Sequence, residues 1–201
     1  ITAYHETGHA LVAYFTKGAD PVHKITIIPR GMALGLTAQL PEKERYNYSK
    51  KYLLGRIDIL MGGRSAEKII FNDTTTGAGN DIEVATDIAK KMVCEWGMSQ
   101  QIGPLTFGKK DEQVFLGKGM SNSRDFSDDI SKIIDKEIIS IVRNSEKNAD
   151  TILKDNLDHL HNVAKTLLDY ETLSGQQLET LINSGSLVDE KLIKPKSTSK
   201  R

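Results

Sequence analysis

The sequence predicts a mainly α-helical fold with a small β-hairpin or sheet next to the first helix and a helical bundle at the C-terminal end. Apolar residues recur at helical spacing over most of the chain, β-branched residues concentrate in one short stretch near the N-terminus, and a long apolar stripe with charges opposite starts after Ser127. The length of 201 residues suits one domain, or one domain with a small appendage.

The first helix is predicted at the very start of the chain. Thr2 is a candidate N-cap, and Lys17 followed by Gly18 provides a basic last turn and a stop. Gly8 costs about 1 kcal/mol relative to alanine inside a helix. We therefore expect Gly8 to permit the close approach of another backbone.

This helix carries the motif HETGH, in which His5 and His9 are separated by one turn. Residues at i and i+4 project from the same face, so the two imidazoles can bind one metal ion. Glu6 lies beside that face and can reach a water on the metal without being a ligand, as in the HExxH zinc hydrolases. The competing interpretation is two packed or solvated histidines, and the amphipathic helix around the motif argues against it.

Two strands are predicted next, at 22–28 and 34–40, with a break at 29–31. The second strand contains a glycine and ends at Pro41, which is typical of an edge strand. An open edge beside a peptidase centre can hold an extended peptide by strand addition. An ordinary sheet that covers the core is an equally good interpretation. The candidate substrate strand comprises Leu34, Gly35, Leu36, Thr37 and Ala38.

A helix is predicted from Ser49 to Met61, ended by Gly62 and Gly63, and a short helix follows through 66–70. A polar, turn-rich loop spans 72–79. Asn80 and Glu83 then have the spacing of a capping box for a helix that stops at Gly97. Asp81 is thereby expected at a helix entrance.

The chain is predicted to contain one metallopeptidase domain at 1–183, followed by a disordered tail at 184–201. Within the domain we distinguish the HExxH part at 1–97, an irregular loop region at 98–126 and a helical bundle at 127–183. The bundle comprises a long helix after Ser127, a second helix at 157–168 and a short third helix around 178–182.

Composition excludes several classes of function. Lysine plus arginine and aspartate plus glutamate both total 27, so nothing indicates a nucleic-acid partner. The single cysteine forms no internal disulfide or sulfur metal site, no apolar run reaches the roughly 18 residues of a membrane span, and no phosphate loop for ATP is present. We expect a soluble fragment of a longer protein, because the helix that carries the motif begins at residue 1 without an initiator methionine.

The third metal ligand is not settled by the residues themselves. A metzincin would need Gly at position 12 and His at position 15, where this chain has Val12 and Phe15, so that class is excluded. Asp81 is favoured because it follows a glycine-bearing loop and begins a helix. Glu67 is the competitor, either as a ligand or as an acceptor for a histidine N–H.

The chain resembles the peptidase domain of the FtsH family of membrane-anchored AAA+ zinc proteases. The resemblance runs in order from Ile1 to about Asn183, and it rests on the segments HETGHALVAYF, VHKITIIPRGMALGLT, LLGRIDILMGGRSAEKIIF, TTGAGNDIEVATDIAKKMVCEWGMS and YETLSG. It implies that one zinc is bound by His5, His9 and Asp81, with Glu6 as the catalytic base. Lys68 departs from the acidic residue expected beside Glu67.

The resemblance also implies a homo-oligomer, a six-membered ring beneath an ATPase ring, that degrades unfolded or misassembled membrane and cytosolic proteins. ATP would bind only in the ATPase domain, and the membrane would be reached only through segments absent from this chain. The expected location of the parent protein is the cytoplasmic face of the bacterial inner membrane, or an organelle counterpart. Two alternatives stay open: a non-catalytic, zinc-stabilised helical assembly module, and a free-standing zinc peptidase.

Overall fold

The computed structural model describes residues 1–29, 35–41, 46–107 and 127–187 and confirms the mainly α-helical class. Within these ranges, six α-helices, one 3₁₀ turn and three short strands follow one another along the chain. In order they are α1 (Thr2–Phe15), β1 (Val22–Thr26), β2 (Leu36–Gln39), α2 (Lys50–Phe71), the 3₁₀ turn (Thr76–Ala78), α3 (Gly79–Cys94), α4 (Asp128–Asp155), α5 (Leu157–Tyr170), β3 (Thr172–Ser174) and α6 (Gly175–Ser184).

Helix α1 lies in the centre of the fold and crosses α2 at very short range. A Cβ atom on Gly8 would collide with the carbonyl oxygen of Gly62, and one on Gly62 would lie 2.7 Å from the oxygen of Gly8. The predicted close approach of a second backbone at Gly8 is therefore confirmed. Since any side chain would separate the two helices, this glycine pair sets the distance between α1 and α2.

Helix α2 corrects the sequence interpretation, which placed two helices on either side of Gly62 and Gly63. The structure has one continuous helix, and both glycines are buried inside it. The helix ends instead at Phe71, and its C-cap is Asn72, whose φ of 52° is left-handed. Helix propensity is a weak prior, and here the packing of α1 on the glycine face outweighs the cost of two interior glycines.

Two predicted helix caps are also wrong. Helix α1 has Ile1, not Thr2, at its N-cap, and no side chain caps it. Helix α3 starts at Gly79, so Asn80 lies within the helix and does not cap it. The 3₁₀ turn runs directly into α3, and the cap of that turn is the Thr75 side chain, which accepts a hydrogen bond from Gly77 N–H. The start of α3 is therefore organised one turn earlier than the spacing predicted.

The three strands form an antiparallel sheet in the order β2-β1-β3, and among the described residues β2 lies at an edge of this sheet, as predicted. Gly35 precedes β2, whereas Leu34 lies outside the described residues. Strand β3 was not predicted, because three residues carry too little pattern to be recognised. It forms by pairing with β1, where Ile25 and Leu173 are opposite each other and fully buried.

The long helix α4 begins after Ser127, whose side chain caps it, and packs against α2 and α3, while α5 packs against α1. The predicted bundle helices at 157–168 and 178–182 correspond to α5 and α6. The predicted loop region is described only as far as Phe107, and the predicted tail only as far as residue 187. Among the helices in the described ranges, none has the length and apolar character needed to cross a bilayer.

Candidate metal centre

Three side chains from two helices converge beside the α1–α2 crossing. His5 and His9 extend from α1, and Asp81 extends from the first turn of α3. The two Nε2 atoms are 3.1 Å apart, and Asp81 Oδ2 is 3.3 Å from each of them. Both histidines are buried, and Asp81 is half-buried. Within the described residues, this is the group whose ligand atoms could share one metal ion.

The hydrogen-bond partners of the two Nδ1 atoms define the tautomer of each imidazole. His9 Nδ1 lies 2.7 Å from the carbonyl oxygen of Ile59, and His5 Nδ1 lies 2.7 Å from Glu67 Oε1. A carbonyl or carboxylate oxygen only accepts, so each Nδ1 carries the proton. In the neutral ring, each Nε2 then presents a lone pair. Two lone pairs and a carboxylate oxygen therefore face one another, an arrangement that a cation stabilises.

The spacing of these three atoms fits zinc. Tetrahedral coordination with bonds of about 2.0–2.1 Å places two ligand atoms roughly 3.3 Å apart, which matches the observed separations of 3.1 and 3.3 Å. Two imidazoles and one carboxylate are also a ligand set that zinc accepts at catalytic sites.

Gly63 keeps space open beside this cluster. A Cβ atom on Gly63 would lie 2.6 Å from Nε2 of both His5 and His9. Any other residue at this point of α2 would press on the two atoms that are candidates to bind the metal. The glycine read as a helix stop from the sequence is therefore part of the wall of the site.

Glu6 is buried and lies against strand β2 rather than in the cluster of ligand atoms. The Thr37 hydroxyl lies 2.7 Å from Glu6 Oε2 and 3.0 Å from the Glu6 carbonyl oxygen. A Cβ atom on Gly35 would lie 2.7 Å from Glu6 Oε1. The edge strand thus holds one end of the Glu6 carboxylate and leaves no room for a side chain at Gly35.

Glu67 is the most deeply buried carboxylate near the site, at 1% exposure. Besides the His5 contact, its Oε2 accepts a hydrogen bond from Thr75 N–H at 2.7 Å, and its Oε1 accepts one from the Thr75 hydroxyl at 3.1 Å. It therefore faces the Nδ1 side of His5, away from the Nε2 atoms. Of the two roles considered from sequence, this is the geometry of the acceptor.

The charges of the cluster are strongly coupled. Burial raises the pKa of Asp81, but when the two imidazoles are protonated their Nε2–H groups donate hydrogen bonds to its carboxylate, and these bonds outweigh burial and hold the pKa of Asp81 well below its usual range. Burial lowers the pKa of His5, but the bonds to Asp81 and Glu67 outweigh it, so the pKa is raised overall. Asp81 is therefore ionised at neutral pH, the state that a metal ligand requires.

The remaining histidines lie away from the cluster. His23 is on β1, His159 has its ring 6.3 Å from that of Phe15, and His161 Nδ1 lies 2.9 Å from the Tyr4 hydroxyl. Lys68 is directed to α4, where its Nζ lies 3.0 Å from Asp150 Oδ2, and this bond raises the pKa of Lys68.

Sequence reasoning missed the Ile59 carbonyl and the Thr75 hydroxyl as parts of the site. Ile59 acts through its backbone, which leaves no trace in residue identity. Thr75 lies in the polar loop that was identified only for delivering Asp81, and its bond to Glu67 joins two segments that no local pattern connects.

A family model and the similar curated proteins both indicate a zinc metalloprotease family. The model of Peptidase family M41 matches residues 1–181. A protein of Acidobacterium capsulatum named ATP-dependent zinc metalloprotease FtsH is 51% identical over 93% of this chain, and one of the same name from Magnetococcus marinus is 48% identical over 98%. A third, from Myxococcus xanthus, is 45% identical over 100% of the chain. The chain covers 29%, 31% and 32% of the length of these relatives.

Proposed function

The chain belongs to Peptidase family M41, and we propose that it is the zinc-dependent endopeptidase domain of an ATP-dependent protease. The family match confirms the resemblance to FtsH peptidase domains that the sequence motifs indicated. The observation that supports the activity most directly is the cluster of His5, His9 and Asp81, with spacings suited to one zinc ion per chain.

The proposed roles follow from the positions of the side chains. His5, His9 and Asp81 would hold a zinc ion, which would supply the Lewis acidity that polarises a substrate carbonyl and lowers the pKa of water to about 7. Glu67 and the Ile59 carbonyl accept the Nδ1–H groups of the two imidazoles and so keep both rings in the tautomer that can bind a metal through Nε2.

Glu6 is the proposed general base and acid. Its carboxylate accepts the proton of the attacking water and then transfers this proton to the nitrogen of the leaving amine. Thr37 binds Oε2, which limits rotation of the carboxylate before substrate arrives. Glu6 has no role in a purely structural zinc site, so its presence supports catalysis over the alternative of an assembly module.

The edge of β2 is the proposed substrate platform. One side of β2 pairs with β1, and within the described residues its other side pairs with no strand. A peptide added to that side would lie beside Glu6, because Thr37 of the same strand contacts Glu6. The platform comprises Gly35, Leu36, Thr37 and Ala38, together with Leu34 by extension from the sequence.

Assembly and location are proposed from the relatives. Their names state ATP dependence, and because this chain covers about three tenths of their length, we assign ATP binding, unfolding and membrane attachment to other parts of the longer protein. We propose that the domain works in a six-membered ring on the cytoplasmic face of a membrane and degrades unfolded or misassembled proteins.

The test combines zinc content with cleavage of an unfolded protein such as casein. Glu6→Gln should retain one zinc per chain and lose cleavage, because the proton acceptor is removed while the ligands stay. Glu83→Gln is the matched control, since Glu83 is an exposed residue of α3. Cleavage by Glu6→Gln at the wild-type rate, or wild-type cleavage that resists a zinc chelator, would contradict the proposal.

A further inference from the structure

We propose that Thr75 is a positioning residue that acts through Glu67 on His5 and thereby sets the affinity of the cluster for zinc. The proposal rests on the metal site described above. Neither the sequence pattern nor the family match assigns a role to this side chain. Thr75 does not touch the ligand atoms itself, and the carboxylate of Glu67 lies between Thr75 and His5.

The carboxylate of Glu67 depends on Thr75 for most of its partners. Its side chain is 2% exposed, so water contributes little. It accepts three hydrogen bonds from the described part of the chain, one from His5 Nδ1 and two from Thr75. The backbone N–H binds Oε2 and the hydroxyl binds Oε1, so Thr75 holds both oxygens in a fixed plane. The oxygen that faces His5 is the one bound by the hydroxyl.

Thr75 also connects this carboxylate to the segment that carries Asp81. Its hydroxyl oxygen accepts the N–H of Gly77 at 3.1 Å and so starts the 3₁₀ turn of Thr76–Ala78. That turn continues without a break into α3, whose first turn bears Asp81. The Thr75 hydroxyl therefore donates to Glu67, which accepts from His5, and it also accepts from the turn that leads to Asp81.

Loss of this hydroxyl should weaken zinc binding without unfolding the chain. In Thr75→Val the backbone N–H and the branched shape are retained, but Oε1 loses a donor and the turn loses its cap. Removal of an outer partner of a metal ligand typically lowers metal affinity 10- to 100-fold. Since Thr75 is one step further from the ion than Glu67, we expect a loss of about tenfold. Thr75→Ser restores the hydroxyl and should bind zinc within about threefold of wild type.

The experiment measures the zinc dissociation constant of the purified chain by competition with a chromogenic chelator. Thr74→Val is the matched control, because it is the same change in the same loop and the Thr74 hydroxyl has no hydrogen-bond partner among the described residues. Circular dichroism verifies that each variant is folded. The proposal predicts weaker binding in Thr75→Val, rescue in Thr75→Ser and no change in Thr74→Val. Wild-type affinity in Thr75→Val, an equal loss in Thr74→Val, or failure of the serine variant to rescue would overturn it.

A double-mutant cycle tests whether the effect passes through Glu67. In a Glu67→Ala background there is no carboxylate to hold, so adding Thr75→Val should lower zinc affinity by a clearly smaller factor than it does in the wild-type background. If the factors by which the two single substitutions lower zinc affinity simply multiply in the double variant, the proposed route through Glu67 is overturned. Failure of the metal site itself would look different, because the wild-type chain would then also lack stoichiometric zinc.

Discussion

The Thr37 hydroxyl donates a hydrogen bond to Glu6 Oε2 over 2.7 Å, so the edge strand β2 and the proposed catalytic base are joined side chain to side chain. The same hydroxyl lies 3.0 Å from the backbone oxygen of Glu6. Strand β2 therefore has two proposed tasks, since it offers its outer edge to the substrate and holds the group that moves the proton.

Thr37→Val should lower the rate of peptide cleavage about tenfold while zinc content stays normal, because the carboxylate loses its positioning donor but the ligands are untouched. Thr37→Ser should recover most of the rate. The measurement is steady-state cleavage of a fluorogenic peptide, with kcat separated from KM. A loss that appears only in KM would mean that Thr37 contributes to substrate binding and not to the placement of Glu6.

Asp81→Ala should lower zinc affinity by more than about 100-fold, because one of the three proposed protein ligands is removed. Asp87→Ala is the control, since Asp87 is an exposed aspartate of the same helix. Elemental analysis after dialysis measures the bound zinc. Normal zinc content in Asp81→Ala would show that another group supplies the third ligand.

Gly63→Ala should lower zinc affinity although alanine is the better helix former by about 1 kcal/mol. The reason is steric, because the added Cβ would lie 2.6 Å from Nε2 of both histidines. Gly79→Ala provides the contrast, since a Cβ there meets nothing within 4 Å. Competition with a chelator measures both affinities. Equal zinc binding by the two variants would mean that the helices move apart at no cost to the site.

Asp58→Asn should change how stability depends on pH. Burial raises the pKa of Asp58 above the 3.8 of an exposed aspartate, and hydrogen bonds from Ser145 and Asn148 offset this only in part. The folded state thus binds the proton more tightly than the unfolded state, and stability falls as pH rises from the unfolded pKa through the raised folded pKa. The amide never ionises, so this loss is absent in the variant.

Urea unfolding at about pH 5 and about pH 8 checks this prediction. The free energy of unfolding of Asp58→Asn minus that of wild type should be larger at the higher pH than at the lower one, because only wild type loses stability as the pH rises. Asp87→Asn, at an exposed position, should show no such change. An Asp58→Asn difference that is the same at both pH values would contradict the raised pKa.

Much of the helical layout was predictable because amphipathic periodicity is strong in long helices. Helices α4 and α5 have close to the extents that their apolar stripes indicated, whereas α1 ends at Phe15, before the predicted stop at Lys17 and Gly18. The helix end predicted at Gly62 and Gly63 is wrong, because a glycine that ends a helix and one that admits a neighbouring helix look the same in sequence. Only the contact between Gly62 and Gly8 distinguishes them.

The sequence by itself determined the local half of the site. One helical turn separates His5 from His9, and Glu6 adjoins them, since these relationships depend only on helix geometry. Tertiary structure alone decided which nitrogen of His5 each carboxylate faces. Asp81 Oδ2 lies 3.3 Å from Nε2, and Glu67 Oε1 lies 2.7 Å from Nδ1. Both are carboxylates distant from the motif in the chain. Their positions follow from how α2 and α3 pack against α1, which no local pattern encodes.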